Sequence, residues 1–244
     1  MTQISVELVP RSYQHLDHDC SGLQESFPYL DTVNIPDLLR MPIHSWEACR
    51  YTGRYFQRNI PHLRARDFNL DHPEFLESAI AGFHEVLVVS GDPPQGFSRS
   101  IYSTTCLDLI RYIRSTHPDK KIIAGLDPYR QNLQKELDYT QQKVMAGASC
   151  FFTQPFFSLT LLKAFYEVLS GLEVYWGVSP VIGEKSKNYW QHTNQVVFPP
   201  GYSFTLMGNQ QFARRVMQFV SENDTNIYFM PIRVDTVEYL HGVL

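Results

Sequence analysis

Short apolar runs and longer amphipathic stretches alternate along the chain eight times. The runs at 4–9, 31–35, 59–65, 86–89, 121–126, 149–153, 173–178 and 227–230 are rich in Val, Ile, Phe and Tyr. Most are apolar at successive positions, the pattern of a strand covered on both faces. Most also stop abruptly, at Pro10, Pro36, Pro93-Pro94, Pro128, Pro155, Pro180 and Pro231, where neither strand nor helix continues. Between them the spacing predicts helices over 45–56, 71–82, 105–115, 133–146, 159–169 and 210–220, with a short one at 235–241. Asp71 is the expected N-cap of the 71–82 helix, and Glu74 completes a capping box. Gly147 and Gly171 read as helix stops. The signal is weak over 13–27 and mixed over 183–208.

Eight strand–helix units in 244 residues predict one domain, 1–244, folded as a closed (β/α)8 TIM barrel. An open doubly wound sheet would more often carry a glycine-rich turn after its first strand, and here that turn is Pro10-Arg11-Ser12. In such barrels chemistry sits where the strands end. The residues at those exits are Glu7, Asn34, His62, Asp92, Asp127, Gln154, Ser179 and Arg233. Three carboxylates, an imidazole, two amides, a hydroxyl and a guanidinium suit a polar heterocycle with a charged tail. A structural rim would show mostly Ser, Thr, Asn and Gly.

Bulk properties narrow the classes. The chain is 43% apolar and 19% charged, which is globular and not disordered. A net charge of −4 gives no footprint for nucleic acid or an anionic membrane. No apolar run is long enough to span a bilayer. The opening residues go straight into a strand with no basic, leader-like segment, so the cytoplasm is the expected compartment. Cys20, Cys49, Cys106 and Cys150 are far apart, which argues against a zinc site and a disulfide framework. No metal is expected, and the His15–Asp19 stretch lies off the strand ends.

Several segments carry a resemblance. Ser5-Val6-Glu7-Leu8-Val9-Pro10, Pro61-His62-Leu63, Gly91-Asp92-Pro93-Pro94, Lys143-Val144-Met145-Ala146-Gly147-Ala148, Thr153-Gln154-Pro155-Phe156-Phe157 and Gly177-Val178-Ser179-Pro180-Val181 fall in order on successive units. Together they resemble the motifs of methylenetetrahydrofolate reductase, a flavin-dependent barrel enzyme. The resemblance implies hydride transfer from reduced FAD to the one-carbon unit of 5,10-methylenetetrahydrofolate, with NADH or NADPH as donor. It implies Glu7 as the acid that opens the folate ring and Asp92 as a carboxylate beside both flavin and pterin. His62, Gly91, Asp92, Tyr102, Ser103 and Lys143 would meet the cofactor. Gln154, Trp190 and Arg233 would meet the folate.

The match has gaps on the flavin side. Ser90 stands where the family has an arginine, Asn34-Ile35-Pro36 replaces a threonine–tyrosine pair, and Gly125-Leu126-Asp127-Pro128 replaces an alanine–tyrosine–proline exit. On the helix over 133–146, Glu136, Tyr139 and Gln142 take the places of an aspartate, an asparagine and an arginine, and only Lys143 remains. A folate-binding one-carbon protein without tightly bound FAD is therefore the alternative. The expected partner is a small folate, with no nucleic acid or membrane; self-association is open.

Overall fold

The computed structural model describes residues 2–91 and 101–244. Eight parallel strands close into a barrel in chain order. They are β1 (Ile4–Glu7), β2 (Thr32–Ile35), β3 (Arg58–Arg64), β4 (Glu85–Val89), β5 (Lys121–Leu126), β6 (Cys150–Thr153), β7 (Glu173–Val178) and β8 (Asn226–Phe229). Helices α1 (Tyr13–Ser26), α2 (Ser45–Thr52), α3 (Glu74–Ile80), α4 (Cys106–Thr116), α5 (Leu133–Ala146), α6 (Leu159–Val168), α7 (Gly183–Thr193), α8 (Leu206–Glu222) and α9 (Thr236–His241) surround them. The closing pair, β1 with β8, sets Val6 opposite Phe229. The expected barrel is the observed one. Among the described residues no helix is long and apolar enough to cross a membrane.

Local chemistry explains where the pattern was misread. α1 is a full helix despite its thin apolar stripe, because Ser12 caps it by accepting from the His15 N–H, and Leu16, Cys20 and Leu23 bury one face. The capping box expected at Asp71 does not form: Asp71 lies in a turn, where its N–H donates to Asn69, and α3 starts after Pro73. A box does form at α4, where Thr105 and Asp108 exchange bonds. The mixed segment resolves into α7 and a strap, residues 194–205, whose Val196, Phe198, Tyr202 and Phe204 pack with Phe157, Val181 and Trp190.

Strand alternation sends Ile60, Leu87, Ile123, Cys150, Phe152, Tyr175 and Tyr228 into the barrel. Three of them form a column of rings, Tyr228 to Phe152 at 4.9 Å and Phe152 to Tyr175 at 4.4 Å. The opposite faces of the strands pack on the helices, through residues such as Val33, Leu63, Val88 and Phe151.

The N-terminal end of the barrel is closed by a polar layer. Arg58 Nη2 donates to both oxygens of Glu85, at 2.9 and 2.8 Å, and Lys121 Nζ to Glu173 at 2.7 Å. Gln3 accepts from Arg58 Nη1 at 2.7 Å, and its own N–H donates to Asn226 at 3.0 Å. The Tyr175 hydroxyl, at the foot of the ring column, donates to Gln3. Four free cysteines are buried, three on helices and Cys150 inside the barrel. Burial pushes each thiol above its ordinary pKa.

Candidate active site at the barrel mouth

Glu7 ends β1 and faces the C-terminal mouth, only 8% exposed. No described residue hydrogen-bonds its carboxyl group, and burial pushes its pKa up to about 8. A carboxyl in that state keeps its proton at neutral pH and can give it away. On the neighbouring strand, Asn34 is fully buried and donates to Ser5 Oγ at 2.9 Å. Its carbonyl oxygen lies 3.0 Å from His62 Nε2, so that nitrogen carries the proton. Burial holds the His62 pKa down at about 3, despite the opposing pull of Asp37. The imidazole is therefore neutral. The His62 N–H donates to Ser45 Oγ at 2.8 Å, which ties β3 to the start of α2.

The remaining strand exits divide by what they touch. Asp127 caps its own turn, accepting from the Tyr129 N–H at 2.9 Å, and burial raises its pKa. Ser179 donates to the Met230 carbonyl at 2.8 Å, a seam contact between β7 and β8. Gln154 is half-buried; its backbone N–H donates to Leu126 at 2.6 Å. Arg233 is exposed in the turn after β8, with φ of 59°. Asp92 lies outside the described residues. Gly91 is described, with φ of 79°, and a Cβ there would sit 2.9 Å from Arg64 Nε. Both the left-handed backbone and that close approach require glycine.

Tyr228 is a mouth residue that strand periodicity alone did not single out. Its hydroxyl donates to the Thr153 carbonyl, and its ring occupies the space that a side chain at position 177 would need. A Cβ on Gly177 would lie 2.8 Å from both that carbonyl and the ring. Thr153 Oγ1 in turn accepts from the Gly177 N–H at 2.9 Å. The ring thus lays an aromatic floor under the mouth, and burial, helped by the nearby Glu7 and Asp127 carboxyls, pushes the Tyr228 pKa up.

Over β6, β7 and β8 the mouth is roofed by aromatics. Phe157 meets Trp190 edge-on at 5.1 Å, Phe198 at 5.0 Å and Tyr202 at 6.0 Å. Trp190 is buried in this roof, a packing position. Asn209 fixes the strap beneath it. Its amide nitrogen donates to the carbonyls of Val181, Ser203 and Thr205, and its oxygen accepts from the Val181 N–H and the Tyr202 hydroxyl. One buried amide so holds β7, the strap and α8 together.

Beside β4 and β5 the picture differs from expectation. Lys143, expected to meet the cofactor, is 2% exposed and donates to the Gly125 carbonyl at 2.6 Å. Glu136 is fully buried and accepts from Arg130 at 2.6 Å, Gln131 at 2.8 Å and the Asp127 N–H at 3.1 Å, with Lys143 Nζ 4.0 Å away. Helical spacing could not tell which way these side chains turn. Tyr102 and Ser103 are exposed and line a cavity of about 430 Å³ with Ser90, Cys106 and Tyr139. A second cavity, about 470 Å³, lies across Tyr139, lined by Arg130, Lys135 and Gln142 among others.

The family model for methylenetetrahydrofolate reductase matches residues 58–199. Comparison with curated proteins gives no match. Among solved structures the chain is similar to an uncharacterized protein from Clostridium thermocellum that binds two copies of 5-methyl-5,6,7,8-tetrahydrofolic acid. The identity is 13% and the TM-score 0.67, over 98% of this chain and 92% of that one. It is also similar to 2,3-dimethylmalate lyase of the PEP mutase/isocitrate lyase superfamily, at 12% identity and TM-score 0.53, over 91% and 82% of the two chains. At these identities the likeness is one of fold.

Proposed function

The chain belongs to the methylenetetrahydrofolate reductase family, and on that premise we propose that its barrel mouth binds a reduced folate whose methylene bridge Glu7 opens by protonation. The observation that carries this is Glu7 itself, unpaired among the described residues and held protonated near neutral pH by burial. Opening the bridge breaks a carbon–nitrogen bond; the released nitrogen takes the proton from Glu7, and an iminium remains on the other nitrogen. A hydride delivered to that iminium from a reduced nicotinamide gives the 5-methyl product. The folate-binding neighbour of the same fold is consistent with a folate here.

The chain's own residues divide the remaining work. Tyr228 supplies a flat apolar surface under the pterin. Gln154 offers a paired amide donor and acceptor at the rim, and Arg233 a cation for the folate's glutamate. The neutral His62, locked by Asn34, presents its ring without adding a charge that would oppose the iminium.

A flavin would relay the hydride when bound. Lys143, the α5 group expected at a flavin dinucleotide, does not fit that duty, because it is tied to the Gly125 carbonyl, and Glu136 beside it is taken up by Arg130, Gln131 and the Asp127 N–H. No step is therefore assigned to a flavin. The test is a reaction of the purified protein with methylenetetrahydrofolate and NADH or NADPH, with and without added FAD, followed by chromatography for 5-methyltetrahydrofolate. Product in either mixture supports the reductase reading, and the two mixtures separate flavin-dependent from direct transfer. Folate binding without product would leave a binding role alone, and no folate binding would overturn the proposal.

A further inference from the structure

The resemblance puts a flavin dinucleotide along α5, at Lys143, and that place is taken up by the chain's own bonds. Glu136 Oε2 accepts from Arg130 at 2.6 Å and from Gln131 at 2.8 Å, and Oε1 accepts from the Asp127 N–H at 3.1 Å. Lys143 Nζ donates to the Gly125 carbonyl at 2.6 Å and stands 4.1 Å from the Tyr139 ring centroid. The Arg130 guanidinium lies 5.0 Å from the same centroid. Lys135 is exposed in the cavity of about 470 Å³ on this side, but Asp138 shares its lining. Three cations thus stand against Glu136, Asp138 and the nearby Asp127. A cofactor that stays bound needs charges that face its diphosphate, and this wall has no net charge for it.

The cavity of about 430 Å³ that Tyr139 also lines differs in kind. Ser90, Tyr102 and Ser103 bring hydroxyls to it, and Arg66 brings a positive charge. Ser90 follows β4 directly, and β4 pairs with β3 so that Leu87 lies opposite His62. The cavity therefore begins one strand from a residue of the mouth. A few hydroxyls and a cation suit a nucleotide that binds and leaves at every turnover, because such a ligand needs far fewer contacts than a resident one.

We infer that this chain transfers hydride directly, from C4 of a reduced nicotinamide to the folate iminium, with both substrates bound at once and the donor seated in the cavity of Ser90, Ser103 and Arg66. This rests on the folate reading of the mouth and specifies how the reduction is done. The C4–H bond of the dihydronicotinamide breaks, and its hydrogen leaves with both electrons to form the new C–H bond at the iminium carbon. The donor becomes the oxidised nicotinamide, the one-carbon unit becomes a methyl group, and the proton from Glu7 stays on the released nitrogen. Electrons and charge balance without a third redox partner. Arg66 meets the donor's phosphates, the Ser90 and Ser103 hydroxyls its polar edge, and holding the two substrates side by side replaces the relay.

Initial rates over a grid of methylenetetrahydrofolate and NADH or NADPH concentrations test this, with the purified whole protein and no added flavin. Double-reciprocal lines should intersect, as they do when both substrates must be bound together. Deuterium placed at C4 of the donor should appear in the methyl group of the product made in ordinary water. Acid extraction of the same preparation should release no flavin. Arg66 is exposed, and Arg66→Ala should raise the donor KM about tenfold while folate affinity in a titration stays the same. Parallel lines, a requirement for added FAD, flavin released on extraction or loss of the label to solvent would each overturn direct transfer and leave the reductase reading standing. An unchanged donor KM in Arg66→Ala would overturn the donor's seat. No 5-methyl product in any mixture, with or without FAD, would remove the reductase reading and this inference with it.

Discussion

The two ends of this barrel are built from similar residue types used in opposite ways. At the N-terminal end every charged group has a partner within about 3 Å: Arg58 with Glu85, Lys121 with Glu173. At the C-terminal end no described residue hydrogen-bonds the Glu7 carboxyl, and the His62 ring bonds the neutral Asn34, with the pull of Asp37 outweighed by burial. The floor groups are half-buried and the mouth groups nearly wholly so, and desolvation acts on both. Pairing at the floor compensates for it, and at the mouth it is left to act on the titration of Glu7 and His62. A paired charge closes a barrel, whereas an unpaired acid at the opposite end stores a proton. The column Tyr228–Phe152–Tyr175 joins the two regimes, with its foot in the polar floor and its head under the mouth.

The sharpest test of that division is Glu7→Gln, which keeps the shape and removes the proton. Turnover should fall about a thousandfold, in the range for loss of a general acid. Folate affinity measured by titration should stay within about threefold. A variant that turns over at the wild-type rate would take the acid role away from Glu7.

The mirror experiment is Arg58→Met at the floor. It leaves Glu85 without its cation and frees the Gln3 contact, so stability should fall by about 2 kcal/mol in denaturant unfolding, between the values for exposed and buried pairs. Folate affinity should be unchanged, because the floor lies at the far end of the barrel. A matching loss of affinity would mean that the two ends are coupled through the ring column.

Gly177→Ala probes the column's upper end. The new Cβ would lie 2.8 Å from the Thr153 carbonyl and the Tyr228 ring, so one of them must move. Overpacking of this kind costs about 2 kcal/mol, and the displaced ring should weaken folate binding as well. Normal stability with normal folate binding would show that the tyrosine floor is not needed.

The smallest effect is in the pH dependence of stability, and it follows from two opposite signs. Glu7 is protonated in the folded state up to about pH 8 but ionises near 4.5 when unfolded. Between those values the folded chain holds the extra proton, so stability falls as pH rises. His62 is neutral in the folded state down to about pH 3 but protonates near 6.5 when unfolded. Between those values the unfolded chain holds the extra proton, so stability falls as pH drops. The two trends cancel from about 4.5 to 6.5. From about 6.5 to 8 only Glu7 acts, at about 1.4 kcal/mol per pH unit, and below 4.5 only His62 does. Glu7→Gln should flatten the alkaline limb of a stability–pH curve, and His62→Gln the acid limb.

How much of this was legible in the sequence depends on how local the cause is. Strand runs and their proline stops are local, and all eight strands stand where the pattern put them. Glu7 could be found because it is the one charged residue in the first run, 4–9, and its environment follows from the apolar residues around it. The orientation of Lys143 could not be found, because whether a helical lysine faces water or the Gly125 carbonyl depends on how α5 docks on β5. Glu136 was hidden for the same reason. Tyr228 needed two facts from distant strands, an absent side chain at Gly177 and a carbonyl at Thr153. Asn209 looked like one polar residue in an amphipathic helix, and its five bonds depend on the path of the strap.

The four buried thiols make the molecule its own set of clocks. A thiol reagent attacks only the thiolate, and burial both hides each sulfur and discourages its ionisation. Labelling must therefore wait for an opening. Cys20 on α1 and Cys49 on α2 time the detachment of two different helices, Cys106 on α4 reports access through the cavity it lines, and Cys150 times the parting of the strands themselves. The order in which they are modified would read out the sequence in which the barrel comes apart, without a single engineered probe.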